Sequence, residues 1–474
     1  MTPEEFRRHG YQAIDWIADY LARPERYPVL AQVKPGELTD ALPAAGPERG
    51  EPMDAIMADF ERLIVPAVTH WNHPGFMAYF AISASEPGIL GELLAAALNL
   101  NGMLWKSSPA VTELEQVTLR WLRQWTGLPE DWFGCIYDTA SVGSMHAIAA
   151  ARQAADPQCR TRGASQGLVV YTSEQAHSSI EKGAIAVGIG QDFVRKIPVD
   201  AEFRMRPDAL AAAIERDLAA GLRPCCVCAT VGTTSTTSVD PVPEIADLCQ
   251  RHGIWLHVDA AYAGSLMVAP EFRWAFAGCD RADSLVTNPH KWFMTPVDCS
   301  VFYTRRPDVL RAAFSLIPEY LTTAADPRAV NLMDYGVPLG RRFRALKLWF
   351  VMRSFGREGI ANLLRGQVQL AQDLAREVDA DPRFERTAPT PFSVVCLRYK
   401  GTDEENRRIQ DHVNSTGEIF ISGTVLNGRF TLRLAIGNRA TKREHVARAW
   451  ALIREGAERL SEGIPWQSGG LLRL

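Results

Sequence analysis

The chain lacks any run of apolar residues long enough to span a bilayer, and its longest such run is short and rich in alanine. It also lacks a polybasic block. Lys and Arg number 51 against 55 Asp and Glu, a formal net charge of −4, so neither nucleic acid nor an anionic membrane surface is an expected partner. Cysteine is scarce and without a pairing pattern. There are nine, an odd number, and the one cluster, Cys225-Cys226-Val227-Cys228, sits in an apolar strand-like run with no second ligand pair at zinc-site spacing. This predicts no disulfide framework and no metal centre, but buried reduced thiols in a cytoplasmic protein. Internal repeats and low-complexity tracts are missing too, which sets repeat architectures aside.

What is present is a chain of 474 residues, 47% of them hydrophobic, enough to fill one large core and smaller satellites. A small-molecule substrate is the default expectation. The N-terminus shows no signal peptide: Thr2, Pro3 and Glu5 form instead a capping box that opens a helix.

Residues 1–85 mix helical patterns with loops rich in proline and glycine, such as "VKPGELTDALPAAGPERGEP", and read as an arm that needs another surface to lie on. A helix follows, capped by Ser108, started by Pro109 and stopped by Gly127. From Cys135 to about Tyr303, β-rich runs alternate with helical patterns, predicting an α/β domain (86–365) with a mainly parallel sheet flanked by helices. The clearest strands are "LVVYT", "CCVCATVG", "IWLHVDAA", "SLVTN" and "SVFYT". The polar segment from Ile317 to Arg342 reads as a mobile loop. The last part (366–474) reads as a small α+β domain, with a hairpin at Asn427-Gly428 and a closing helix capped by Thr441 and Glu444.

In open α/β sheets ligands sit beyond the carboxyl ends of the strands, so the residues that end strands are the informative ones. "CIYDTASVGSMH" ends a strand with Thr139, Ala140 and Ser141 and opens a helix, where free N–H groups and hydroxyls can hold a phosphate; a plain helix cap reads equally well. "VVYTSEQAHSSI" delivers His177. "WLHVDAAYAG" delivers Asp259, whose carboxylate would be costly to bury without a cation or donor, a salt bridge to an arginine being the structural alternative. "LVTNPHKW" delivers Lys291 between His290 and Trp292. Taken singly, this lysine is an ordinary solvated residue. Together the four groups make chemical sense. Pyridoxal phosphate needs a lysine to bond its aldehyde, a carboxylate to keep its ring nitrogen protonated, and a phosphate anchor.

At these residues the chain resembles the group II pyridoxal-phosphate decarboxylases of the aromatic-L-amino-acid decarboxylase type, in a bacterial-like form. Seven ordered motifs carry the likeness: "VTHWNHPGFMAYF", "SSPAVTELE", "EQAHSS", "ATVGTT", "WLHVDAAYAG", "NPHKW" and "PLGRRFRALKLWF". The resemblance implies fold type I and a homodimer whose N-terminal arms wrap the partner. It implies Lys291 as the cofactor lysine, Asp259 as the partner of the ring nitrogen and His177 stacked on the ring. Thr139, Ala140, Ser141, Asn288 and His290 would frame the phosphate, with Thr234 and Ala261 near the ring. Trp71, Tyr79 and Phe80 fall on substrate-pocket positions, and Arg439 matches an arginine near the active site.

The chain also departs from the family. Ile82 stands where animal members carry a pocket-facing threonine, and Asn101 and Met103 replace an aliphatic and an aromatic residue expected from the neighbouring subunit. The family's loop tyrosine, the accepted proton donor, is matched by Leu332 in an ungapped alignment and by Tyr335 in a gapped one. The expected reaction is decarboxylation of an L-amino acid, aromatic by the pocket, to the amine. Its alternative is oxidative decarboxylation-deamination to an aldehyde. A binding scaffold that only keeps the fold is disfavoured by the intact lysine, aspartate and histidine, and a hydrolase by the lack of a placed nucleophile.

Overall fold

The computed structural model describes residues 1–163, 166–316 and 329–462. In chain order the strands are β1 (Phe76–Met77), β2 (Phe133–Tyr137), β3 (Leu168–Ser173), β4 (Val194–Ile197), β5 (Arg223–Thr230) and β6 (Trp255–Asp259). They continue with β7 (Ser284–Thr287), β8 (Ser300–Thr304), β9 (Phe384–Arg386), β10 (Val394–Tyr399), β11 (Phe420–Leu426) and β12 (Arg429–Ala435). Residues divide into two compact units: Ile82–Val368 with Ala388–Val394, and Met1–Ala81 with Gln369–Thr387 and Val395–Leu474.

The first unit holds a seven-stranded sheet of order β2-β8-β7-β6-β5-β3-β4. Strands β4, β3, β5, β6 and β7 run parallel, and β8 is antiparallel to both its neighbours, so β2 points the same way as β7. Strands β3, β6, β7 and β8 are buried at every residue, which is why their sequences are near-continuous apolar runs rather than alternating ones. Helices Ala140–Ala155, Ser179–Ala186, Pro207–Ala219 and Val242–His252 make the crossovers. The first lies close to the sheet at Gly143, where a Cβ would come within 2.9 Å of Val286 Cγ2 and force one of the two elements to shift.

β2 is an edge strand, and two of the motif residues close its edge. Glu115 accepts the Ile136 N–H at 2.8 Å, while Arg341 donates to the Ile136 carbonyl at 2.7 Å and to Glu115 at 2.8 Å. The motifs "SSPAVTELE" and "PLGRRF" thus supply side chains where a further strand would supply backbone groups.

The second unit carries a five-stranded sheet of order β1-β11-β12-β10-β9. The Asn427-Gly428 turn joins β11 to β12, both residues having positive φ (49° and 75°), as a tight hairpin requires. Its core includes Met77, Val395, Leu397, Ile421, Leu432 and Trp450. Here the outcome differs from the expected three-part division. The N-terminal arm is not a unit by itself, because β1 pairs in parallel with β11 and Met77 enters the same core. Breaks at 81/82 and 368/369 fall near the expected 85/86 and 365/366.

The capping box at Thr2 and Glu5 is present, whereas the one expected at Thr441 is not. The Thr441 hydroxyl donates to the Pro74 carbonyl at 2.6 Å, and the closing helix Arg443–Ser461 starts from Lys442, whose N–H meets His445 Nδ1 at 3.0 Å. Of the segment expected as a loop, residues 317–328 lie outside the described residues; Leu332–Tyr335 forms a 3-10 turn. All nine cysteines are buried free thiols. Among the described residues no helix is long and apolar enough to cross a membrane.

Candidate active site

The parallel strands bring their carboxyl ends to one rim of the first unit. β2 leads to Thr139, β3 to His177, β5 to Thr234, β6 to Asp259 and β7 to Asn288 and Lys291. Backbone pairing continues past the strands: Ala260 N–H donates to the Val286 carbonyl at 3.0 Å and Asn288 N–H to the Ala261 carbonyl at 3.0 Å. The residues just beyond β6 and β7 are therefore as fixed as the sheet.

Lys291 sits in the single helical turn Pro289–Trp292, with its N–H on the Asn288 carbonyl at 2.9 Å. Both flanking residues are anchors. His290 is buried and accepts the Cys299 N–H on Nδ1 at 2.9 Å, and burial pushes its imidazole down to about 4, so it is neutral. Trp292 is buried, stacks on Tyr262 at 4.3 Å and 2° between planes, and donates its indole N–H to Gln367. Tyr262 in turn meets the Ser393 hydroxyl. The amine thus projects from a turn held on both sides.

Asp259 is 5% exposed, and one carboxylate oxygen accepts the Ala261 N–H at 3.0 Å. Beneath it, buried His257 bridges Ser144 of the Ala140–Ala155 helix (3.0 Å) and Ser284 of β7 (2.9 Å). His177 follows β3 in a turn. Its Nδ1 accepts the Ser179 N–H at 3.2 Å and lies 2.8 Å from the Ser179 hydroxyl, so the neutral ring carries its proton on Nε2. Burial holds this imidazole below its ordinary range, with Asp259 pulling it up and Lys291 and Lys182 pushing it down. The three groups accordingly share one electrostatic environment.

The donor set fits pyridoxal phosphate. Thr139 caps the Ala140–Ala155 helix, its hydroxyl accepting the Val142 N–H at 3.4 Å, which leaves the first N–H groups of Ala140 and Ser141 without intrahelical acceptors. Asn288 is buried with its amide oxygen unpartnered, a costly state for an amide that a polar group in the site would relieve. An amine, a buried carboxylate and an imidazole complete the set.

Other expected residues are placed elsewhere. Trp71, Tyr79, Phe80 and Arg439 belong to the second unit, and Ile82 is the first residue of the first unit. Asn101 accepts the Arg341 N–H at 3.0 Å and the Met103 carbonyl accepts the Met333 N–H at 3.1 Å, so within the chain both brace the segment that follows the 3-10 turn or the turn itself. Leu332 is buried in the sheet-and-helix core. The Tyr335 ring stacks on Phe133 at 4.4 Å, at the start of β2, whereas Thr139 lies beyond the other end of that strand. Sequence reasoning missed the contact of Ser179 with the His177 ring, and it missed Gln367, Tyr262 and Asn438, the last donating to the Trp71 carbonyl at 2.8 Å and the His73 carbonyl at 3.1 Å. Ser179 and Tyr262 lie inside the quoted motifs and Asn438 next to Arg439, which was the available signal; Gln367 had none.

A sheet rim with this donor set defines a pyridoxal-phosphate enzyme of fold type I, and comparison with known proteins agrees. The family described as "Pyridoxal-dependent decarboxylase conserved domain" matches residues 35–400. The chain is 42% identical to a tryptophan decarboxylase of Camptotheca acuminata, with 97% of this chain and 96% of that one covered. It is 41% identical to a phenylacetaldehyde synthase of Arabidopsis thaliana, with 97% of each covered. Its fold matches the crystal structure of Oryza sativa TDC with PLP and tryptamine at a TM-score of 0.94 and 38% identity, covering 97% of this chain and 99% of that one. The chain belongs to the pyridoxal-dependent decarboxylase family, and its cofactor is pyridoxal phosphate.

Proposed function

We propose that the protein decarboxylates an aromatic L-amino acid to the amine and carbon dioxide. The observation that carries this reading is the placement of Lys291, Asp259 and His177 at the carboxyl ends of β7, β6 and β3 on one rim of a pyridoxal-dependent decarboxylase. Similarity to a tryptophan decarboxylase, and to a structure containing tryptamine, supports an aromatic side chain. Lys291 holds the cofactor's aldehyde carbon, Thr139, Ala140, Ser141, Asn288 and His290 frame its phosphate, and Thr234 and Ala261 pack near its ring. Bound there, pyridoxal phosphate supplies a sink for the electron pair left when the carboxyl group departs. Asp259 keeps a proton on the ring nitrogen, and His177 presents its Nε2–H from a fixed ring. Trp71, Tyr79 and Phe80 supply aromatic surface for the substrate side chain, with Ile82, Asn101, Met103 and Arg439 as further pocket residues.

The working species is a homodimer, supported by apolar surface that the chain leaves uncovered. Helix Pro3–Ala22 buries none of its residues, and Leu90, Leu94 and Leu98 of helix Glu86–Leu98 are exposed at helical spacing. Sedimentation at assay concentration should give a dimer, and a fully active monomer would reject it. Nine free cysteines support a cytoplasmic location.

A second reading, aldehyde formation with oxygen consumption, is favoured by one observation: Leu332, with no hydroxyl, occupies the ungapped position of the family's proton donor. The products of holoenzyme with single amino acids decide between the two. Amine should dominate, and aldehyde with peroxide as the main wild-type product would reject decarboxylation as the outcome. If Tyr335 is the donor, Tyr335→Phe moves products toward aldehyde; if the position is vacant, Leu332→Tyr suppresses peroxide while Tyr335→Phe does little.

A further inference from the structure

Tyr79 is a non-glycine residue in the left-handed region (φ 48°), directly after the short strand β1. L-residues avoid that region, so the surrounding structure must enforce it. Two side chains from the neighbouring hairpin do so. The Ser422 hydroxyl of β11 accepts the Tyr79 N–H at 3.4 Å, and the Arg433 guanidinium of β12 donates to the Tyr79 carbonyl. Ser422 and Arg433 are direct cross-strand partners, so the hairpin register delivers both to the same residue. The guanidinium also lies 4.7 Å from the Phe80 ring centroid, and Arg433 is itself only 4% exposed. In this conformation the Tyr79 ring stacks with Trp71 at 5.9 Å and meets Phe420 edge-on at 6.0 Å.

We infer that Arg433, assisted by Ser422, is a positioning residue that sets selectivity for aromatic substrates by clamping the Tyr79–Phe80 turn. The inference rests on the proposed function, in which Trp71, Tyr79 and Phe80 meet the substrate side chain. Without the clamp Tyr79 relaxes to an extended conformation, its ring leaves the Trp71 stack, and Phe80 loses its cationic neighbour. The reacting groups on the sheet rim are held by other contacts, so affinity for the ring changes while turnover does not.

The test uses holoenzyme saturated with pyridoxal phosphate and measures kcat and KM for L-tryptophan, together with inhibition by L-leucine. Arg433→Ala should raise KM for tryptophan roughly tenfold, with kcat and the leucine inhibition constant within about twofold. Arg433→Lys, which keeps a charged donor, should recover most of the loss, and Ser422→Ala should raise KM about two- to threefold. These two milder variants decide the matter if Arg433→Ala does not fold. Unchanged KM, or parallel loss of kcat and of bound cofactor in every variant, overturns the inference. Tyr79→Ala separates the two layers of the argument. If it raises KM while the Arg433 and Ser422 variants do not, only the clamp fails; if it too is without effect, the reading of the aromatic pocket fails and the clamp with it.

Discussion

At the sheet rim Asp259, Asn288 and Lys291 follow strands buried at every residue, and backbone hydrogen bonds between β6 and β7 extend past the last strand residues to Ala260 and Asn288. The aromatic turn after β1 is held differently. It follows a strand with a single neighbour, and Tyr79 has an unfavourable φ and side chains rather than backbone groups on both its N–H and its carbonyl. The reacting groups are thus fixed by the fold itself, whereas the selecting groups are fixed by a few replaceable side chains. Substitutions at the two places should differ in kind: loss of turnover at the rim, and change of preference at the turn.

The largest effect should come from Asp259→Asn. An amide is neutral and cannot stabilise a proton on the ring nitrogen, so turnover should fall about a thousandfold or more, roughly 4 kcal/mol of barrier. Fold and some bound cofactor should survive, because the Ala261 N–H retains an acceptor in the amide oxygen. Steady-state rates with the amine quantified check this, and near wild-type turnover would break the contrast at its strongest point.

The same contrast explains what was legible in the sequence. Lys291, Asp259 and His177 could be read because each lies at or a few residues past the end of a strand-like run, and strand ends gather ligands in an open α/β sheet. Strand β8 and the Asn427-Gly428 hairpin were legible for similar local reasons. The union of the arm with the C-terminal unit was not, since it turns on a two-residue parallel strand whose partner lies more than three hundred residues away. Thr441 illustrates the same limit: locally it reads as a helix cap, but a carbonyl at Pro74 takes its hydroxyl. Glu115 and Arg341 were visible as motif members, yet their role depends on β2 being an edge strand. Nothing local marks Tyr79 as left-handed or Arg433 as its clamp.

Acid sharpens the comparison through stability, at intermediate size. His257 and His290 are lowered by burial from 6.5 to about 4, and His146 to about 3, all three in the unit with the seven-stranded sheet, and His73 of the other unit is lowered to about 4 as well. The sign follows from proton uptake. The unfolded chain binds protons below pH 6.5 that the folded one refuses, so stability present above that pH is lost as pH falls toward 4, on the order of 3 kcal/mol per histidine. Buried Asp240, raised from 3.8 to about 6, works the other way over nearly the same interval and offsets about one of them. A net loss of several kcal/mol should therefore appear in urea unfolding between pH 6.5 and 4.5. His257→Gln should flatten the slope, and a midpoint independent of pH there would contradict the neutral assignment.

The smallest expected effect is at Ile82, which follows directly on the aromatic turn. Its aliphatic side chain is half-buried and offers a ring substituent no hydrogen-bonding group, so Ile82→Thr adds a hydroxyl where animal members of the family carry one. A hydrogen bond to a neutral partner is worth about 1 kcal/mol net, so preference for a catechol substrate over phenylalanine should rise about fivefold. Because the rim is untouched, the change should appear in KM for the catechol substrate while kcat for phenylalanine stays put. Competition between the two substrates in one reaction reads the ratio directly. An equal change for both would mean that the substitution acts through stability or cofactor loading. An unchanged ratio would mean that position 82 does not meet the ring, which would leave Tyr79 and its clamp as the selecting element.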